Sequence, residues 1–343
     1  MPEFTIGSTI LAPRNIMTRD KREQTMKDIY GEEYAGDSRF VAECRRLQSI
    51  YRVEIGEKIR PYTGRDGNTH YYGNYIGNGK ETGANFLTRC AFMHAIERTD
   101  PKNKKPYETF DEERLFNNLL SSQPMAFNLF CPLSKLFEES PRDATLAIKA
   151  ALPAYPIHEV TGIGLEFIPE EYKSLTGDQS AMDAIIRYRN EEGNEGFVAV
   201  ETKYSENLGI NVAYERGTKK PRAKNLEAVR MLACFDPDIE KRINDGRTKL
   251  TQIYRNFLLS ERYGLEHGLI SHSIILAPRI HPSTGKEVES LAKELRPEYR
   301  DKIRSVHLED FVDRIIGCCP QDYRAVFEKF KERYLNFDKL GKQ

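Results

Sequence analysis

Residues 181–204 constrain this chain more than any other stretch. Two runs rich in Ile, Val, Phe and Tyr, 181–188 and 197–204, flank the polar, glycine-bearing segment Asn190-Glu-Glu-Gly193-Asn194-Glu-Gly196. Such runs around such a segment read as the two strands of a β-hairpin. A turn centred on Glu192 sets Asp183 directly opposite Glu201. Opposed side chains on one face have Cβ atoms about 5 Å apart. The two-residue period of a strand adds Lys203 to that face and turns Val198, Val200 and Thr202 to the other. A slip of one residue would move one set to the opposite face, so the reading stands on the turn.

Two carboxylates that close repel unless a cation lies between them. A hard dication such as Mg²⁺ takes one or two carboxylates together with water and phosphate oxygens. It offsets charge on a phosphate and acidifies a water, while a nearby lysine can orient the nucleophile or stabilise the transition state. The pattern therefore points to hydrolysis of a phosphodiester. Acid-x-Lys on a strand is common, and most such groups are solvated pairs. Here Asp183 interrupts an apolar strand and Lys203 shares the face of both acids, which favours a working site.

Asp183, the hairpin spacer and Glu201-Thr-Lys203 resemble the core motif of the PD-(D/E)XK nuclease superfamily. Ser121-Ser-Gln-Pro-Met-Ala-Phe-Asn-Leu-Phe130 and Glu201-Thr-Lys-Tyr-Ser-Glu206 resemble a bacterial branch of it, and the likeness spans roughly residues 111–280. The resemblance implies an α/β, restriction-endonuclease-like core with a mixed central sheet flanked by helices. It implies Asp183 and Glu201 as ligands of Mg²⁺ or Mn²⁺ and Lys203 as a catalytic group. Met182 stands where many members carry a proline. Many members also carry an acid on the first core helix. The matching helix here offers Gln123, so Glu166, in the strand-like Ile163-Gly-Leu-Glu-Phe-Ile168, is the candidate third ligand. Many members present a glutamine from the helix after the catalytic strand. Gln252 fills that place, with Arg255 near phosphate.

Around this centre, residues 111–137 follow a helical period that puts Gln123 on the apolar face, where its amide needs partners: near the metal site, in contact with nucleic acid, or merely at a strand end that it caps. Residues 246–263 read as a helix on which Gln252, Arg255 and Asn256 share a face. Leu269–Leu276 suits an inner strand, Ile303–Leu308 a further one, and residues 309–337 a helical tail. Upstream, residues 18–52 and 87–98 are helical in pattern. The Gly-, Asn- and Tyr-rich stretch 53–86 reads as turns and short strands. Its tyrosines are expected to pack inside the protein; stacking on bases is the functional alternative. Residues 1–110 are thus expected to be an N-terminal extension or cap, and 111–343 the core with its tail.

Lysine and arginine number 52 and so do aspartate and glutamate. Global charge therefore does not favour nucleic acid, and contact must come from local patches. Arg216-Gly-Thr-Lys219-Lys220-Pro-Arg222-Ala-Lys224 is one, read as a loop in which Lys219, Lys220 and Arg222 touch phosphate. The six cysteines form no C-x-x-C pair, which speaks against a zinc ribbon or a disulfide framework. There is no long apolar run and no signal-peptide core, so no membrane role and a cytoplasmic setting are expected.

The reading that results is a Mg²⁺- or Mn²⁺-dependent deoxyribonuclease, with DNA as its partner. A setting in bacterial defence or repair follows from the superfamily's usual company. A homodimer is an expectation from the resemblance, because two-strand cutters of this kind often pair; an activating partner or nucleotide stays open. One alternative is a nucleic-acid-binding module of the same fold with weak or lost catalysis. Another is an interaction protein whose hairpin face is a salt-bridged surface without metal affinity.

Overall fold

The expected hairpin lies inside a five-stranded sheet. The computed structural model describes residues 19–64, 67–103, 110–177, 179–206 and 219–342. Its strands are β1 (Tyr62–Thr63), β2 (Thr69–His70), β3 (Glu159–Phe167), β4 (Met182–Arg189), β5 (Glu195–Thr202), β6 (Ile270–Ala277) and β7 (Ile303–His307). The helices are α1 (Arg19–Tyr30), α2 (Arg39–Glu54), α3 (Gly79–Thr82), α4 (Arg89–Thr99), α5 (Ser122–Glu139), α6 (Pro141–Ala151) and α7 (Tyr172–Leu175). After them come α8 (Lys219–Leu232), α9 (Ile239–Asn244), α10 (Gln252–His267), α11 (Thr284–Glu294), α12 (Leu308–Cys318) and α13 (Gln321–Tyr334).

The main sheet runs β3-β4-β5-β6-β7. The first three strands pair antiparallel and the last three parallel. A parallel neighbour needs a crossover long enough to return the chain. Helices α8–α10 return it from β5 to β6, and α11 returns it from β6 to β7.

Ala184 pairs with Val200 and Arg189 with Glu195, the register that a turn centred on Glu192 requires. The turn closes locally. Asn190 N–H donates to the Asn194 carbonyl at 2.9 Å, and Asn194 N–H donates to Asn190 Oδ1 at 2.8 Å. Gly193 takes φ +85°, which a side chain would resist. Strand alternation then divides the hairpin. Ala184, Ile186, Tyr188, Val198 and Val200 enter the large core with α5, α6, α12 and α13. Ile185, Phe197 and Ala199 pack with Leu259 of α10 on the other face.

The N-terminal third shares the large core, through Cys44 of α2, Phe86, and Ala91 and Ala95 of α4. A buried polar hub joins it to the C-terminal helix. Arg333 of α13 is 1% exposed and donates to Gln48 Oε1 at 3.1 Å, Asn85 O at 2.7 Å and Asn85 Oδ1 at 2.6 Å. Gln48 Nε2 in turn donates to the Tyr204 hydroxyl at 2.9 Å, one residue beyond Lys203.

Three boundaries differ from the sequence reading. Residues 111–137 are not one helix; a π-type turn at Glu113–Asn117 precedes α5, which starts where Ser121 caps Gln123 N–H. The helix expected from 246 begins at Gln252, because the residues before it form turns and an extended cap at Thr251. The basic run is helical from Lys219 instead of looped, and Arg216 to Thr218 lie outside the described residues. No helix among the described residues is long and apolar enough to cross a membrane. Its described cysteines are free thiols.

Removing the Arg333 fork takes the donor from Asn85 Oδ1 and Gln48 Oε1, while the Asn85 carbonyl keeps Asn128 Nδ2, and each buried acceptor so left costs about 1–3 kcal/mol. Arg333→Met is therefore expected to lower the unfolding free energy by roughly 3 kcal/mol. Urea unfolding of the two proteins side by side measures this.

Candidate active site

Three carboxyl side chains stand in register on adjacent strands. Between the pairs Leu165↔Ala184 and Phe167↔Met182, Glu166 falls opposite Asp183. One step beyond Ala184↔Val200, Asp183 falls opposite Glu201. Glu166 reaches this place in an unusual backbone state, with φ +48° inside a strand. A register shift after Val160, where Thr161 is the extra residue, sets the phase of β3. Arg98 Nη2 donates to the Glu166 carbonyl at 3.2 Å, and Gln123 Nε2 to Glu166 Oε1 at 3.4 Å.

Asp183 is held by its neighbour strand. Its Oδ2 accepts from Thr202 N–H at 2.6 Å and from Thr202 Oγ1 at 2.7 Å. Glu201 is 5% exposed and Lys203 7%. Lys203 Nζ donates to Glu201 Oε1 at 2.6 Å and to Gln252 Oε1 at 3.2 Å. Gln252 Nε2 donates to Glu201 Oε1 at 2.9 Å, and Asn256 Nδ2 to Glu201 Oε2 at 2.7 Å. Gln252 and Asn256 are four residues apart on α10, so one helical face serves both contacts.

A fourth carboxylate, Glu206, sits where the chain leaves the sheet. Its Oε1 accepts from Ser122 N–H at 2.8 Å, Ser122 Oγ at 3.0 Å and Arg114 Nη2 at 3.1 Å. It thus meets the positive N-terminus of α5 and an arginine. Burial works against the Glu206 charge, but Lys203, the Ser122 amide and Arg114 hold its carboxyl below the ordinary value.

A family model described as the PD-(D/E)XK nuclease superfamily matches residues 35–336. The chain belongs to that superfamily. The match covers most of the chain, including the N-terminal third from residue 35 onward, and the mixed sheet flanked by helices is its restriction-endonuclease-like fold. Neither the curated proteins nor the solved structures gave a match.

Members of this nuclease superfamily generally use divalent metal ions. The donor chemistry here fits one. Burial, then Asp183, pushes the Glu166 carboxyl up to about 8. Burial, then Asp183, pushes Glu201 up to about 7. Burial also raises Asp183, against the opposing pull of Lys203 and Thr202. Burial alone would lower the Lys203 ammonium, but Glu201, Asp183 and Glu206 together raise it. One lysine thus faces several carboxyl groups, which must hold protons or a further cation. Among the described residues, no three His, Cys, Asp or Glu side chains are yet close enough to ligate one ion together.

The structure therefore brings together Asp183, Glu201, Lys203 and Gln252, with Glu166 and Gln123 beside them. Gln123 is half-buried against Glu166, not on the apolar side of α5. Arg255 is a correction: it is 6% exposed, and its Nη1 donates to the Leu250 carbonyl at 3.0 Å. In this conformation its guanidinium is tied to the backbone just before α10 and is buried. Lys219, Lys220 and Arg222 lie in the first turn of α8, and their side chains are outside the described residues. Asn256 and Glu206 were not singled out as site residues from sequence. Asn256 carried a signal, its i+4 spacing from Gln252. Glu206 lay inside the motif, but its pairing with the start of α5 is a tertiary contact.

The raised carboxyls have a thermodynamic consequence. Their unfolded value is near 4.5 and their folded values are about 7 and 8, so the folded state binds more protons between these limits. That contribution to stability is fully present below about pH 4.5 and is lost as pH rises through about 7–8. In EDTA, the unfolding free energy should therefore fall as pH rises across that window. Glu166→Gln should flatten the fall, and Mn²⁺ should reverse it at the upper end. Denaturant unfolding across that pH range reads all three.

Proposed function

We propose that this protein is a divalent-metal-dependent nuclease that hydrolyses phosphodiester bonds in DNA. The observation that carries the reading is the row Glu166, Asp183 and Glu201 across β3, β4 and β5, with Lys203 hydrogen-bonded at its end. Asp183 and Glu201 would hold Mg²⁺ or Mn²⁺, with Glu166 as the third donor. Such an ion would offset phosphate charge and make water a better nucleophile.

The chain's own groups do the rest. Lys203 keeps its proton, so it serves as a cationic donor to water or to phosphate oxygen, not as a base. Gln252 and Asn256 orient Glu201 from α10, as outer partners commonly do for metal-binding carboxylates. Thr202 fixes Asp183. Lys219, Lys220 and Arg222 supply phosphate contact at the start of α8. DNA as substrate, a role in bacterial defence or repair, a cytoplasmic setting and a pairing of two copies extend the same reading.

One observation favours a second reading, a nucleic-acid-binding module with weak or lost catalysis: both Glu201 oxygens already accept hydrogen bonds. Cleavage separates the two. Plasmid and end-labelled linear DNA are incubated with Mg²⁺, Mn²⁺ or EDTA. Cutting is expected with either metal and not in EDTA. Glu201→Ala should abolish it, Lys203→Ala should slow it at least about 100-fold, and Gln252→Ala should slow it about tenfold. DNA binding without cutting in any metal would select the binding module.

A further inference from the structure

The tyrosine-rich segment builds a second site. Tyr62 and Tyr75 stack with ring centroids 4.6 Å apart at 18°. His70 stacks on Tyr72 at 5.0 Å, and Tyr34 meets Tyr72 edge-on at 5.7 Å. These rings, with Arg45 and Gly64, line an open cavity of about 530 Å³. The sequence reading placed the tyrosines in packing. Tyr72 conforms, at 7% exposed, but Tyr62 and Tyr75 are only half-buried; Tyr34, which lies outside that stretch, is 51% exposed. The rings are therefore not consumed by the core.

Charge and size narrow the occupant. The Arg45 guanidinium is clamped by Asp37 at 2.6 and 3.0 Å, donates to Asn74 Oδ1 at 2.5 Å, and lies 5.1 Å from the Tyr72 ring centre. His70 has Glu32 at 3.5 Å. The Arg45 guanidinium thus already faces a carboxylate, and a second carboxylate stands beside His70, which makes the cavity a poor phosphate trap. It offers aromatic faces and polar edges to a flat, uncharged ring, in a volume within the roughly 300–1,000 Å³ of ligand pockets. Every nucleobase has a π-face that stacks on such side chains.

The cavity is also wired to the carboxylate row. Asn74 Nδ2 donates to Asn118 Oδ1 at 2.7 Å, and Leu120 N–H donates to the same oxygen at 3.0 Å. The Leu120 carbonyl accepts from Ser205 Oγ at 3.3 Å, two residues after Lys203. We infer that the Tyr34, Tyr62, Tyr72 and Tyr75 cavity binds a single unpaired nucleobase, supplied by the strand whose backbone is cut at the carboxylate row. The strand as source rests on the nuclease reading; the nucleobase chemistry does not.

The test uses the full chain in EDTA, with a short fluorescein-labelled single-stranded DNA read by anisotropy and AMP read by thermal shift. Tyr34→Ala, at the exposed rim, and Tyr62→Ala should each weaken strand binding about tenfold, and Tyr62→Phe should stay within about twofold of wild type. Melting curves and far-ultraviolet circular dichroism show that the variants are folded; Tyr34→Ala serves if Tyr62→Ala is not. Unchanged strand affinity, with AMP stabilising wild type but neither alanine variant, would assign the cavity to a free nucleotide and keep the nucleobase chemistry. Unchanged strand affinity in folded variants, with AMP stabilising neither wild type nor the variants or stabilising all of them alike, overturns the inference. Cleavage that depends on Glu201, alongside that negative result, would sink this inference alone. Tyrosine-dependent binding in EDTA, with no cleavage when Mg²⁺ or Mn²⁺ is added, would sink the nuclease reading and the cut strand as source but keep the nucleobase chemistry.

Discussion

The register between β4 and β5 is the constraint on which this molecule's site depends. It is set by a five-residue turn, from Asn190 to Asn194, and by the apolar faces of the two strands. A slip of one residue would send either Ile186 and Tyr188 of β4 or Val198 and Val200 of β5 out of the large core, so the packing that stabilises the fold also fixes the acids. Once Asp183 lies between Glu166 and Glu201, like charges are forced together at low exposure. The surrounding structure answers that repulsion. Lys203 donates to Glu201, Thr202 donates to Asp183, and α10 turns two amides toward Glu201. The remaining negative charge is left for a proton or a metal, and that unmet charge is the chemical character of the site.

Glu206 and Arg333 show how far the support reaches. Glu206 ties the end of the catalytic strand to the start of α5. Tyr204, next to Lys203, is hydrogen-bonded to Gln48, which also meets Arg333 from the last long helix. The residues flanking Lys203 are thus fixed from the first third and the last helix of the chain. The N-terminal third is in this respect part of what holds the site, sharing both the core and the polar hub.

What was legible in the sequence was local. The hairpin, its turn and its register follow from strand alternation and turn residues. The inner strand β6, the strand β7 and the C-terminal helices follow from apolar period. Glu166 could be named as a candidate, but its position opposite Asp183 depends on a bulge at Thr161 and a left-handed φ, neither of which composition reveals. Arg255 lay on the polar face expected for a solvated helix. Burial of α10 between the sheet and its neighbouring helices inverts that reading. The basic run, which contains Pro221, reads as a loop. A proline in the first turn of a helix lacks only an N–H that has no partner there anyway, so α8 tolerates it. The tyrosines were half legible: Tyr72 is packed as expected, and with the half-buried Tyr62 and Tyr75 it also lines a cavity whose walls come from separate segments.

The central claim is that the carboxylate row holds a divalent cation. Crystals grown with Mn²⁺ and measured at the manganese absorption edge test it most directly. An anomalous peak between Asp183 and Glu201, absent in crystals of Asp183→Asn grown the same way, is the result this account predicts. A well-diffracting crystal with no peak at the row, or with Mn²⁺ bound elsewhere and the row unchanged, would contradict it.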